Sequence, residues 1–221
     1  MIEVWGRRSS INVQKVLWAL GETGQPFERH AAGGQFGGLD DKAFLKMNPN
    51  GLVPVMKDGT VTLFESNTMM RYLARKYGKD NIRPRGQKPW ALADQWTDWT
   101  ATTLNPPMFT ILFDTVRATP EQKNPAAVKE AEKKAGDLFK IANRAIGRKP
   151  WMTGRHFNYA DIAIGVYYWR YMAFDIAKRP KLPNLDRWME QIKERDAFKQ
   201  WGLVPVGNSP EEWNANEKAL G

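Results

Sequence analysis

Hydrophobic spacing along this chain changes period several times, and each change marks an element. Ile2 and Val4 alternate with polar neighbours, the two-residue repeat of a half-buried strand. From Asn12 the repeat becomes helical. Val13, Val16, Leu17 and Leu20 recur at i, i+3, i+4 and i+7, and Gly24 is placed to end the helix. Residues 26–30 predict a second strand, giving a strand–helix–strand opening of the parallel kind. Residues 41–47 predict a short helix.

The stretch 48–78 is the most informative. Residues 53–57 form a short apolar run, and Asp58-Gly59 is a two-residue hairpin signal, because glycine accepts the positive φ such turns need. Residues 61–64 are the return strand. Helical spacing then takes over through Met69, Met70, Leu73, Ala74 and Tyr77, with Gly78 as the stop. Pro54 has no N–H for a sheet neighbour and belongs at an edge. Ser66 reads as the N-cap of the helix, with Glu65 just before it. A helix N-terminus suits a carboxylate, and Glu65 suits an amine. Together they describe a receptor for an amino-acid head group.

Residues 81–89 read as a linker, because proline, glycine and charge interrupt both periods. No further strand is predicted. Residues 90–104 form a helix ending before Pro106-Pro107, and residues 129–146 form a more charged one. Asn158 and Asp161 have the spacing of an N-cap donor–acceptor pair, opening a buried helix that runs to residue 174. Leu185, Trp188, Met189 and Ile192 mark another helix. After residue 205 the pattern gives no element, and Trp213 is a candidate to pack back on the fold.

Composition then narrows the function classes. The chain has 221 residues, 42% of them hydrophobic, which suits one large or two small globular domains. No run reaches the length of a membrane span and the start lacks a signal peptide's apolar core, so the expectation is a cytoplasmic protein with no membrane role. Without cysteine there is no disulfide, thiolate metal site or cysteine nucleophile, and two distant histidines predict no metal centre. The net charge of +9 comes from scattered lysines and arginines. It reads as a solvated surface and not as a nucleic-acid interface, and it adds a weak attraction for small anions. The glycine-rich run 33–38 lacks the GK[ST] ending of a phosphate loop and reads as a flexible loop over a ligand.

The segment NPNGLVPVM followed by Glu65-Ser66 and a helix resembles the glutathione-binding half of the glutathione transferase family. The order of elements extends that resemblance over nearly the whole chain. It implies an α/β plus all-α fold, with a thioredoxin-like domain over 1–80 and a helical bundle over 89–221. It also implies that Val53 pairs its backbone with the cysteinyl part of glutathione, that Pro54 is cis, and that Glu65 and Ser66 hold the γ-glutamyl end. Glutathione would be the co-substrate, and the protein a detoxifying homodimer.

Such chemistry needs a thiolate near neutral pH. Lowering a thiol pKa by about two units takes roughly 2.7 kcal/mol of preferential thiolate stabilisation. In serine-type members a hydroxyl at the entrance of the first helix supplies part of it. Spacing from Gly24 favours Ser10 over Ser9, and Asn12 could support the same sulfur through its amide N–H. No tyrosine lies in the first 70 residues to take that role. Where some members carry a basic residue for the glycyl carboxylate, this chain has Gly51 and Leu52. Gln35, Lys42 and Lys46 are the substitutes. The electrophile pocket is expected from Trp99, Met108, Phe109, Ile111 and Arg117, with Trp96 in the core. The expected reaction is conjugation of glutathione to largely apolar electrophiles. Ser10-Ile11-Asn12 is also similar to the Thr-x-Asn arrangement of disulfide-reducing relatives, and a non-catalytic binding module is the rival from another class.

Overall fold

The computed structural model describes residues 1–79 and 81–221; the expected domain boundary at residue 80 falls outside them. Four strands form one sheet: β1 (Ile2–Trp5), β2 (Phe27–His30), β3 (Val55–Asp58) and β4 (Val61–Phe64), in the order β2-β1-β3-β4. β1 runs parallel to β2, and β3 is antiparallel to both β1 and β4. α1 (Ile11–Thr23) makes the crossover, α2 (Lys42–Met47) leads into the hairpin, and α3 (Ser66–Lys76) follows it.

The hairpin differs from expectation by one position. Asp58 pairs with Val61 and is the last strand residue, so the turn is Gly59-Thr60, with Gly59 at φ 61°. Asp58 is then free to accept hydrogen bonds from Tyr72, Lys76 and Tyr77, which tie the hairpin to α3. Gly78 ends α3 by close approach and not by a left-handed turn. A Cβ there would lie 2.5 Å from the Ala74 carbonyl oxygen.

The helical half comprises α4 (Gln87–Trp99), α5 (Asn105–Val116), α6 (Pro125–Ile146), α7 (Tyr159–Ala173), α8 (Pro183–Lys193), α9 (Asp196–Trp201) and α10 (Pro210–Leu220). The break expected at Pro106-Pro107 does not occur. A π-helical turn, Thr100–Leu104, joins α4 to α5 with helical backbone throughout, and the prolines fall in the first turn of α5. There their missing N–H groups cost least. α7 begins as predicted. The Asn158 side chain accepts from the Ala160 N–H, and the Asp161 carboxylate accepts from Asn158 N–H and Met152 N–H. It also accepts from the Trp188 indole, which fixes α8 on α7.

α1 lies between the sheet and the helical half. The predicted face (Val13, Val16, Leu17, Leu20) is fully buried, and so is the opposite side through Lys15, Trp18 and Ala19, because α7 and α9 cover it. A helix wrapped on all sides can hold polar groups only where partners meet them. Trp18 donates to Glu22, which is also gripped by two nitrogens of Arg195. No helix among the described residues is long and apolar enough to cross a membrane.

Candidate functional site

The segment before β3 builds one wall. Asn48 is buried; its side chain donates to the Leu52 carbonyl at 2.7 Å and accepts from Asn50. Gly51, at φ 62°, closes this turn by donating to the Asn48 carbonyl. The chain then enters β3 through a cis Val53-Pro54 bond.

The second wall is the start of α3. Glu65, not Ser66, is the N-cap residue; Ser66 is the first residue of the helix. Glu65 sits at φ 73°, a left-handed conformation that costs a non-glycine residue about 1–3 kcal/mol. Ser66 Oγ donates to Asn12 Oδ1 at 3.2 Å, which joins the starts of α3 and α1.

These walls enclose a cavity of about 320 Å³, lined by Asn12, Lys15, Asn50, Val53, Pro54, Glu65, Ser66 and Asn67, with Ala101, Asn105 and Tyr167 from the helical half. The π turn brings Ala101 and Asn105 to it, and Tyr167 donates to Asn105 Oδ1 at 2.9 Å. Asn12, Val53, Pro54, Glu65 and Ser66, singled out in the sequence, therefore share one cavity.

Ser9 and Ser10 part company. Ser9 is buried, and its hydroxyl donates to Glu217 Oε1. Ser10 caps α1 through its backbone, with φ −71° and ψ 123°, but its hydroxyl makes no capping bond. It is half-buried and uncommitted at the mouth of α1. It does not itself line the cavity that Asn12, two residues on, does line.

Gln35 lies elsewhere. Its side chain donates to the Asn214 carbonyl of α10, and it lines a second cavity, of about 560 Å³, with Arg7, Arg117, Trp213 and Glu217. The run 33–38 is partly a 3-10 turn against α10. Lys42 and Lys46 are exposed and line neither cavity. Of the expected electrophile residues, Arg117 lines this second cavity. Met108 and Ile111 are buried in the core, Trp99 packs edge-on to buried Trp96, and Phe109 is 49% exposed beside Phe113. The unbroken α4–α5 helix turns these side chains to different sides.

Lys15 is the group sequence reading missed. It is fully buried, and its Nζ donates to Asn67 Oδ1 at 2.8 Å, while Asn67 donates to the Thr97 carbonyl. Burial, partly offset by the Glu65 charge, pushes the amine down to about 7. Its position on the polar side of the predicted helix reads as solvent-facing, and only the cover from the helical half reverses that. Glu217 was equally hidden, in a tail without periodicity. Among the described residues no cluster of metal-binding side chains occurs.

Comparison with known proteins bears on this site. The family model for the glutathione S-transferase N-terminal domain matches residues 5–85, and that for the C-terminal domain matches residues 104–196. Glutathione S-transferase GstB of Escherichia coli is 38% identical over 208 residues, spanning 93% of this chain and all of the relative. Glutathione S-transferase 4 of Zea mays is 28% identical, covering 96% of this chain and 97% of its own. The solved theta class glutathione S-transferase from Xanthomonas axonopodis pv. citri, with glutathione bound, superposes with a TM-score of 0.87 at 33% identity. That match covers 93% of this chain and 99% of the other.

Proposed function

Because the chain belongs to the glutathione S-transferase family, we propose that it activates glutathione in the cavity between β3, α3 and α1 and transfers the thiolate to an electrophilic carbon. The observation that carries this reading is the gathering of Asn12, Val53, Pro54, Glu65 and Ser66 around one cavity at two helix N-termini. The γ-glutamyl carboxylate takes the Ser66 end of α3, where backbone N–H groups and the helix dipole favour an anion. Its ammonium takes Glu65. The cysteinyl backbone runs against Val53. The sulfur then meets the start of α1, where the Ser10 hydroxyl, unused by the helix, donates to the thiolate.

Calorimetric titration with glutathione tests the reading. Binding in the wild type, lost or weakened by at least about tenfold in Glu65→Gln and Ser66→Ala, is the expected result. Equal affinity in wild type and both variants would remove the cavity from the account.

A second reaction has its own support: Asn12, and not Ser10, lines the cavity directly. An Asn12-centred site favours glutathione-dependent disulfide reduction. Turnover of a mixed disulfide that falls in Asn12→Ala but survives Ser10→Ala would select it.

A further inference from the structure

The second cavity, where α10 meets the β1–α1 loop, is short of negative charge. Arg7 and Arg117 line it around a single carboxylate, Glu217, and buried Arg170 lies near both guanidiniums. That carboxylate is already committed, since it pairs with Arg7 Nε at 2.9 Å and accepts the Ser9 hydroxyl. Arg170 is buried and donates to the Ser9 carbonyl at 2.8 Å. The Arg117 guanidinium donates no hydrogen bond to any described residue, and it lies 5.6 Å from the centre of the Trp213 ring. The Trp213 ring faces the Arg170 guanidinium as well, at 5.7 Å.

A guanidinium without a hydrogen-bonding partner at the wall of a cavity of about 560 Å³ is placed to receive an anion. Arg117 offers a free planar fork, which matches a carboxylate. Glycine lets this cluster form. A Cβ at Gly34 would stand 2.8 Å from Glu217 Oε2 and 2.9 Å from Arg7 Cδ. Arg7 begins the loop that ends at Ser10, so the cavity adjoins the place assigned to the sulfur.

We propose that this cavity receives the electrophile and selects one that carries a carboxylate, held by Arg117 and Arg7. This rests on the proposed function for the reaction itself, and it replaces the expectation of a largely apolar acceptor. With an aryl chloride acid, the glutathione thiolate attacks the carbon bearing chlorine. The C–S bond forms, the C–Cl bond breaks, and chloride leaves with the bonding pair. The carboxylate takes no part beyond anchoring.

The matched pair 4-chloro-3-nitrobenzoate and 4-chloro-3-nitrobenzamide differs in charge and little in shape. Each is titrated into the protein saturated with S-methylglutathione, which cannot react, and each is assayed with glutathione, rates being divided by the uncatalysed reaction. The acid should bind about tenfold more tightly than the amide, with the same ratio in kcat/KM. Arg117→Gln should abolish the preference of acid over amide, while Arg117→Lys should keep most of it. Equal affinity for acid and amide, or a preference that survives Arg117→Gln, overturns the proposal. A loss of S-methylglutathione affinity in Arg117→Gln, absent for its glycyl amide, also overturns it, since the anion held would be the glycyl carboxylate. Absorbance of the bound glutathione thiolate, read without electrophile, reports the underlying reaction separately.

Discussion

Ser10 and Lys15 stand at the start of the same helix, and burial sets them different tasks. Ser10 keeps a free hydroxyl because α1 is capped by its backbone alone. If that hydroxyl stabilises the thiolate by about 1.4–2.7 kcal/mol, Ser10→Ala lowers turnover about 10- to 100-fold in steady-state assays. Ser9→Ala should instead lower thermal stability, because the buried Glu217 carboxylate loses a donor, and leave the bound thiol's pKa in place. Lys15 predicts a pH dependence. Its folded pKa, about 7, lies below the 10.5 of an unburied lysine, so the unfolded chain holds the proton more tightly. Below about pH 7 both states are charged and the burial penalty is complete. Between these values stability rises with pH, by at most about 1.4 kcal/mol per unit, and above them the penalty is gone. Chemical denaturation from pH 7 to 10 should show that rise, and Lys15→Met should flatten it; equal slopes would acquit Lys15. With S-methylglutathione, whose carboxylate favours the charged amine, binding at pH 8 should take up protons, seen as a binding heat that varies linearly with buffer ionisation enthalpy.

At the scale of elements, Asp161 carries the clearest structural prediction. Burial pushes its carboxyl up to about 6, while donors from Met152, Asn158 and Trp188 hold it in place. Asp161→Ala leaves those buried donors unpaired and should cost about 2–4 kcal/mol in denaturant unfolding, with the chemistry of the remaining folded fraction unchanged. This cap was legible in the sequence because Asn158-x-x-Asp161 is a local signal. So were the four strands, α1, α3, α4, α6, α7 and α8, whose hydrophobic spacing is readable from neighbours along the chain. The Glu65, Ser66 and Pro54 group was legible for the same reason, lying on one hairpin-to-helix segment. What stayed hidden depends on contacts distant in sequence. The π turn carries Pro106-Pro107 through a helix that local rules would break. α10 has no periodic stripe, since it is held by Glu217 and Trp213 more than by a continuous apolar face. The scatter of Trp99, Met108 and Phe109 follows from the same unbroken helix. Lys15 is buried because Asn67 of α3 meets its amine and the helical half closes over the second side of α1.

For the whole molecule, both halves contribute to one site: the β3–α3 segment and α1 from the first, Ala101, Asn105 and Tyr167 from the second. A ligand bridging them stabilises the folded state by mass action. Glutathione at about 100 times its Kd should add about 2.7 kcal/mol, seen as a rise in Tm that Glu65→Gln removes. The family assignment and the fold stand on the shared architecture, and the proposed function adds that this site ionises a thiol. The sharpest test titrates the ultraviolet absorbance of glutathione bound to the protein across pH. A bound-thiol pKa about two units below the free value, returning towards it in Ser10→Ala, is the predicted result. Bound glutathione that titrates like free thiol, in wild type and variant alike, would contradict it.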